Sequence, residues 1–103
     1  MSGTQTVSVS QVMKEARKLK DEGLSISASK LYLSIDRKDK AAEALERGGW
    51  FGLAIDLRLE MGNTNKAIDD ALKARNLKMA AKLMESVGNK EGAKKLLRVA
   101  IIA

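Results

Sequence analysis

An alanine recurs at every thirteenth position of the chain, six times in succession. The six alanines are Ala28, Ala41, Ala54, Ala67, Ala80 and Ala93. Self-similarity at a fixed period is the signature of a repeat architecture, in which one structural unit is copied and stacked. Such stacks usually present binding surfaces. The period therefore constrains both the fold and the class of function that this chain can have.

Each thirteen-residue unit has the pattern of one short helix. Positions three, four and seven residues after the alanine form an apolar stripe with it, and this spacing defines one face of an α-helix. The residue two positions after the alanine is charged in every unit: Lys30, Glu43, Asp56, Asp69, Lys82 and Lys95. The sequence therefore predicts amphipathic helices whose outer sides are solvated.

The ends of the units are marked by glycine and asparagine. Gly49, Gly62 and Gly88 share one column, and an asparagine follows the last two of them and Arg75 as well. Glycine terminates helices in the left-handed conformation, and asparagine is a good N-cap. With turns this tight, neighbouring helices must run antiparallel, so two units make a 26-residue hairpin. The alanine methyl groups let adjacent helix backbones approach closely.

A further helix is predicted before the repeats, with Ser10 as its N-cap. The first nine residues are polar and are expected to fray. We therefore predict an all-α protein, a right-handed α-solenoid of about seven short antiparallel helices. It comprises a flexible N-terminus over residues 1–9 and a single helical-repeat domain over residues 10–103.

Two stretches resemble a known group of proteins. Residues 44–57 (ALERGGWFGLAIDL) and 61–68 (MGNTNKAI) each contain a helix end marked by glycine, then polar or aromatic residues, then a helix with an early alanine. In this they are similar to the tetratricopeptide-like α-solenoids, above all the short-hairpin forms of vesicle-coat, clathrin and intraflagellar-transport subunits. The resemblance implies a protein-interaction scaffold. It covers residues 24–101, in hairpins shorter than the usual repeat and without its proline, and no binding residue is carried over from it.

Composition argues against catalysis. The chain has no histidine and no cysteine, which removes the commonest general base, the commonest metal ligand and the thiol nucleophile. Asp56 with Glu60, and Asp69 with Asp70, could hold a hard cation, but a solvated helix face is the preferred interpretation. We predict no enzyme activity, no metal and no cofactor. With neither a signal peptide nor an apolar run long enough to span a membrane, the predicted location is cytoplasmic.

Two sets of residues are candidate binding determinants. Trp50 and Phe51 either staple helix ends or anchor a partner, for which the flanking Gly48 and Gly49 leave room. The predicted partner-binding surface consists of Trp50, Phe51, Asn63, Asn76 and Asn89. The second set reflects a net charge of +6 that is concentrated near the C-terminus. This basic face consists of Lys78, Lys82, Lys90, Lys94, Lys95 and Arg98.

The preferred function is a non-catalytic scaffold or adaptor that binds another protein or a peptide segment. The first alternative is a nucleic-acid-associated accessory protein that uses the basic face, since lysine stripes can track a phosphate backbone. The second is a self-assembling subunit. Its basis is the apolar end of the chain, residues 96–103, because a terminal repeat normally has a polar outer face.

Overall fold

The computed structural model of the chain describes residues 8–102, and within this range it contains seven α-helices and no β-strand. The helices are α1 (Val9–Asp21), α2 (Ser25–Ser34), α3 (Lys38–Arg47), α4 (Phe51–Glu60), α5 (Thr64–Lys73), α6 (Leu77–Ser86) and α7 (Lys90–Ile102). Each helix packs against the next one along the chain. The predicted all-α, solenoid-like stack of seven short helices is confirmed.

The stack is elongated. It measures 63 × 26 × 15 Å and has a radius of gyration of 17.0 Å. A globular chain of this length would have a radius of gyration of about 13 Å. Helices therefore meet mainly their immediate neighbours, and much of each helix faces solvent or a groove.

The repeated alanines are buried where neighbouring helices pack together. All six repeated alanines have an exposed fraction of 0%. The buried apolar residues form two clusters, one centred on α1 to α3 around Tyr32 and one reaching from α4 to α6 around Ile68. The two clusters meet at α4, which contributes Leu57 to the edge of the first and Ile55 to the second.

The six turns between helices share one geometry. In each of them the second residue after the helix end has a positive φ between 58° and 86°, and these residues are Gly23, Asp36, Gly49, Gly62, Arg75 and Gly88. The N–H of the following residue donates to the carbonyl five positions earlier, at 2.7–2.9 Å, in all six turns. This is the hydrogen bond of the Schellman motif. The predicted glycine terminators are confirmed, and Asp36 and Arg75 adopt the same conformation without glycine.

Arg75 is therefore a strained member of this column. Arg75→Gly is expected to raise the free energy of unfolding by about 1 kcal/mol, because a left-handed conformation is unfavourable for a residue with a Cβ. Asp36→Gly should gain less, since aspartate tolerates this conformation. Urea denaturation measures both changes. The reciprocal control is Gly62→Ala, which has open space for its Cβ at φ +74° and should lose stability through the backbone alone. An unchanged midpoint for Arg75→Gly would contradict the argument.

The start of α1 differs from the prediction. The N-cap is Ser8, so the prediction of Ser10 is wrong. The Gln11 N–H donates to Ser8 Oγ at 3.1 Å, and the Ser8 N–H donates to Gln11 Oε1 at 3.3 Å. This capping box requires a Ser-x-x-Gln spacing, which Ser8 satisfies and Ser10 does not. Of the tail predicted to fray, Ser8 and Val9 belong to the cap and the helix, and residues 1–7 lie outside the described range.

Candidate functional site

The predicted aromatic pair is divided between surface and interior. Trp50 is 49% exposed at the start of α4, whereas Phe51 is half-buried. The expectation that Gly48 leaves room for a partner is wrong, because a Cβ at Gly48 would collide with the side chain of Ser25 on α2. That space is filled by the chain itself. Trp50 is thus the member of the pair that is accessible to a partner.

The three predicted asparagines cap helices, as their column suggested. Asn63 Oδ1 accepts from the Lys66 N–H at 3.4 Å, Asn76 Oδ1 from the Met79 N–H at 3.2 Å, and Asn89 Oδ1 from the Gly92 N–H at 2.9 Å. Each side chain satisfies a backbone donor that would otherwise lack a partner at a helix start. Their structural role is therefore established, and their role in partner binding stays a prediction.

The six residues of the basic face lie on α6 and α7, and all six are exposed. None of them lies within ion-pair distance of a carboxylate in the described range. Val99 and Ile101 are also exposed on α7, which packs against α6. Nucleic-acid binding and self-assembly through this end of the stack stay predictions. Over residues 8–102, no helix combines the length and the apolar character needed to cross a bilayer.

An apolar groove of about 310 Å³ lies between α2 and α4. Its floor is Leu45 of α3, which is buried beneath both walls. The lining residues, here called the leucine groove, are Ile26, Ser29, Lys30, Leu33, Leu45, Leu53, Asp56 and Leu57. Leu33 and Leu53 are 40% and 47% exposed. In α2 and α4, unlike the other helices, the apolar residues are not confined to one side, so some of them stay exposed after packing, beside polar residues such as Lys30 and Asp56.

Trp50 lies next to the leucine groove. A smaller hollow of about 180 Å³ is lined by Trp50, by Gly23 and Leu24 of the α1–α2 turn, and by residues 25–27 in the first turn of α2. Ile26 lines both cavities. Half-exposed Leu24 and Trp50 therefore extend the apolar surface beyond the groove. The tryptophan was among the predicted binding residues, whereas the leucines beside it were not.

A second groove, of about 230 Å³, lies between α3 and α5 and has α4 beneath it. Its lining residues, here called the charged groove, are Glu43, Glu46, Arg58, Lys66, Asp69, Asp70 and Lys73. Helix α3 forms the floor of the leucine groove and one wall of the charged groove. The two grooves therefore open on opposite sides of the stack.

The two grooves occupy equivalent positions one unit apart. Every lining residue of the charged groove except Lys73 lies thirteen residues after a lining residue of the leucine groove. Four leucines are replaced by charged residues in this correspondence: Leu33 by Glu46, Leu45 by Arg58, Leu53 by Lys66 and Leu57 by Asp70. Equivalent positions of the repeat therefore line an apolar groove on one side of the stack and a charged groove on the other.

Three charged residues of this groove form a buried cluster across three helices. Arg58 of α4 is 3% exposed and binds Glu46 of α3 through two hydrogen bonds, Nε to Oε2 at 3.0 Å and Nη2 to Oε1 at 2.9 Å. Asp70 of α5 is 1% exposed. With both carboxyl groups ionised, Asp70 Oδ2 has no hydrogen-bond partner among the described residues. A proton on Asp70 resolves this, because the protonated carboxyl group can donate to Glu46.

The pKa shifts of the cluster are consistent with a proton shared between Asp70 and Glu46. Burial raises the pKa of Asp70 to about 7, and the hydrogen bond to Glu46 and its negative charge act in the same direction. Burial would raise the pKa of Glu46 as well, but hydrogen bonds from Arg58 and Asp70 outweigh it and lower that pKa. The hydrogen bond to Glu46 raises the pKa of Arg58. Near neutral pH the cluster therefore holds an ionised pair and one partly protonated carboxyl group.

This cluster was not among the predicted sites, although the sequence carries a signal for it. Arg58 and Asp70 stand in columns that are otherwise apolar or alanine, four and three residues after the repeated alanine. Charged residues at core positions of a repeat are expected to pair with each other, since an isolated buried charge is unfavourable. The two exceptions, twelve residues apart on adjacent helices, indicated a buried polar site.

No group of three or more aspartate, glutamate, histidine or cysteine side chains in the described range has a geometry that could hold a metal ion. The hard-cation interpretation of Asp56, Glu60, Asp69 and Asp70 therefore has no support in the structure. No protein family, curated protein or solved structure matches this chain.

Proposed function

We propose that this chain is a non-catalytic docking module, and that the leucine groove binds one amphipathic helix of a partner protein. The observation that carries the proposal is the exposed leucine pair on the outer side of α2 and α4. Apolar residues on more than one side of a helix indicate more than one packing partner, yet Leu33 and Leu53 remain about half exposed in the isolated chain. Contiguous exposed apolar surface with polar residues at its rim is typical of protein-interaction sites.

A helix is the partner that best fits the groove. On the inner side, α3 already packs against both α2 and α4. A helix on the outer side would repeat this arrangement, with its apolar residues against Leu33, Leu53 and Leu57. Lys30 on one wall and Asp56 on the other are exposed and can pair with charges on the flanks of the partner. Trp50 adds an aromatic contact at one end, of the kind enriched in interface hot spots.

The tetratricopeptide-like resemblance supports the same role at the level of architecture. A stack of short helical hairpins presents grooves between helices of one layer, as the leucine groove does here. We therefore extend the proposal to an adaptor function of the scaffold type.

The test is selection of helical peptides from a randomised amphipathic library against the parent chain. Leu33→Glu or Leu53→Glu is expected to weaken binding of the selected peptides at least about tenfold, because a charge must then be desolvated in an apolar contact. Calorimetry or fluorescence anisotropy gives the dissociation constants. Both positions are half exposed, so the substitutions should leave the fold intact.

The matched control is Leu72→Glu, the same substitution at an exposed leucine of α5 outside the leucine groove. It should leave peptide affinity unchanged. Peptides that bind both groove variants as tightly as the parent would overturn the proposal. A selection that yields no groove-dependent peptide would contradict it equally.

A further inference from the structure

Besides the Arg58–Glu46 ion pair, the charged groove contains a cavity. Its cavity of about 230 Å³ is far larger than the roughly 10–15 Å³ that one water molecule requires. Replacing four leucines of the equivalent groove by charged residues has produced a polar hollow open to solvent instead of a closed salt bridge. A cavity of this kind has room for a polar group larger than water.

The charged residues that line the hollow are only partly paired with one another. Four carboxyl groups and three cationic groups line it, and Glu43 pairs with Lys40, which lies outside the lining, at 3.6 Å. Glu46 is neutralised by Arg58. Neither Lys66 nor Lys73 lies within ion-pair distance of a carboxylate in residues 8–102. Asp69 and Asp70 are therefore the lining carboxyl groups without an ion pair, and of the two only Asp70 is buried, with an Oδ2 that lacks a donor when the group is ionised.

We propose that the charged groove binds one basic side chain of a partner, with its cationic group donating to Asp70. Arginine fits better than lysine, because the guanidinium group is more weakly hydrated and loses less on entering a buried site. Asp70 is covered in the empty groove, so exposed side chains at its rim must move when arginine enters, which surface side chains do on a fast timescale. The site lies on the opposite side of the stack from the leucine groove and does not depend on it.

Arginine and a proton compete for the same place in this arrangement. In the empty groove the proton on Asp70 removes the charge of a buried carboxyl group that has no ion pair, consistent with the pKa of that group, which burial raises. When arginine enters, the proton leaves to solvent and the total charge of the site is unchanged. Binding must therefore strengthen as pH rises through neutrality.

The probe is N-acetyl-L-arginine amide, whose only charge is the guanidinium group, titrated into the parent chain and followed by amide NMR shifts. We expect shifts at the lining residues of α3 and α5, and affinity about tenfold weaker at pH 6 than at pH 8, as competition with one proton of pKa near 7 requires. The neutral isostere N-acetyl-L-citrulline amide should produce no saturable shifts. Saturable binding of the citrulline compound, or equal arginine affinity at both pH values, would overturn the proposal.

Two further measurements identify the acceptor. Asp70→Asn should abolish arginine binding at pH 8, whereas Asp21→Asn, which removes an exposed carboxylate outside both grooves, should preserve it. In the parent chain, saturating arginine probe should lower the titration midpoint of the Asp70 carboxyl carbon. This second readout needs no variant, so it remains decisive if Asp70→Asn alters the fold. A midpoint that does not move would show that the proton belongs to the Glu46 pair alone.

Discussion

Arg58→Ala is expected to lower the free energy of unfolding by about 3–5 kcal/mol, the range for removing one partner of a buried ion pair. The arginine is 3% exposed and satisfies both carboxylate oxygens of Glu46. Without it, two carboxyl groups remain side by side in a poorly solvated groove. Because small domains are stable by only about 5–15 kcal/mol, the loss is a large part of the total. Urea denaturation at pH 7 measures it.

The control for this substitution is Arg47→Ala, at an exposed arginine of α3 with no ion pair in the described range. Its effect should stay within about 0.5 kcal/mol, as for ordinary surface changes. Equal effects of the two substitutions would contradict a buried role for Arg58.

The stability lost in Arg58→Ala should be restored when the whole charged cluster is replaced by leucine. The triple variant Glu46→Leu, Arg58→Leu, Asp70→Leu copies the residues of the leucine groove at equivalent positions. Exchanging a whole buried charged cluster for apolar residues is often neutral or stabilising by about 1–4 kcal/mol. The triple variant should therefore be at least as stable as the parent. It should also show no binding of the arginine probe, which would separate the stability of the stack from the function of the charged groove.

The helical stack could be predicted from the sequence because its signal is periodic. Ala54 and Ala67, for example, are determined by the same close contact between helices, so one column reports the packing of every unit. The capping asparagines were predictable for the same reason. Ser8 was missed because the helix start lies outside the period, and its capping box depends on a single local spacing.

The candidate sites could not be predicted in the same way. Leu33 and Leu45 look alike in sequence, but one lines the wall of a groove and the other its floor, and that distinction depends on which helices share a layer. Arg58 and Asp70 departed from their columns and could have been identified. Their partner Glu46 could not, because it occupies a column in which leucine, glutamate and arginine alternate. The thirteen-residue period predicts the features that all units share, whereas the two candidate sites depend on residues that differ from one unit to the next.

Stability of the parent chain is expected to fall as pH rises from about 4 to about 7. The folded state raises the pKa of Asp70 from 3.8 to about 7, so in this window the folded chain holds a proton that the unfolded chain has released. Stability falls with pH wherever the folded state binds more protons. The size of the shift corresponds to about 2–4 kcal/mol, fully lost above pH 7. Glu46 acts in the opposite direction, since its lowered pKa contributes stability that is lost only as pH falls below about 4.5.

Asp70→Asn should remove this pH dependence. The asparagine amide can still donate to Glu46 but carries no charge at any pH, so the variant should match the parent near pH 4 and exceed its stability by about 2–4 kcal/mol at pH 8. Denaturation midpoints from pH 4 to pH 9 provide the comparison. Asp69→Asn, at the exposed neighbouring position, should run parallel to the parent. A parent curve that rises between pH 5 and pH 8, or an Asp70→Asn curve with the parent's slope, would place the proton elsewhere. A partner arginine that replaced the proton would restore at pH 8 the stability that ionised Asp70 removes.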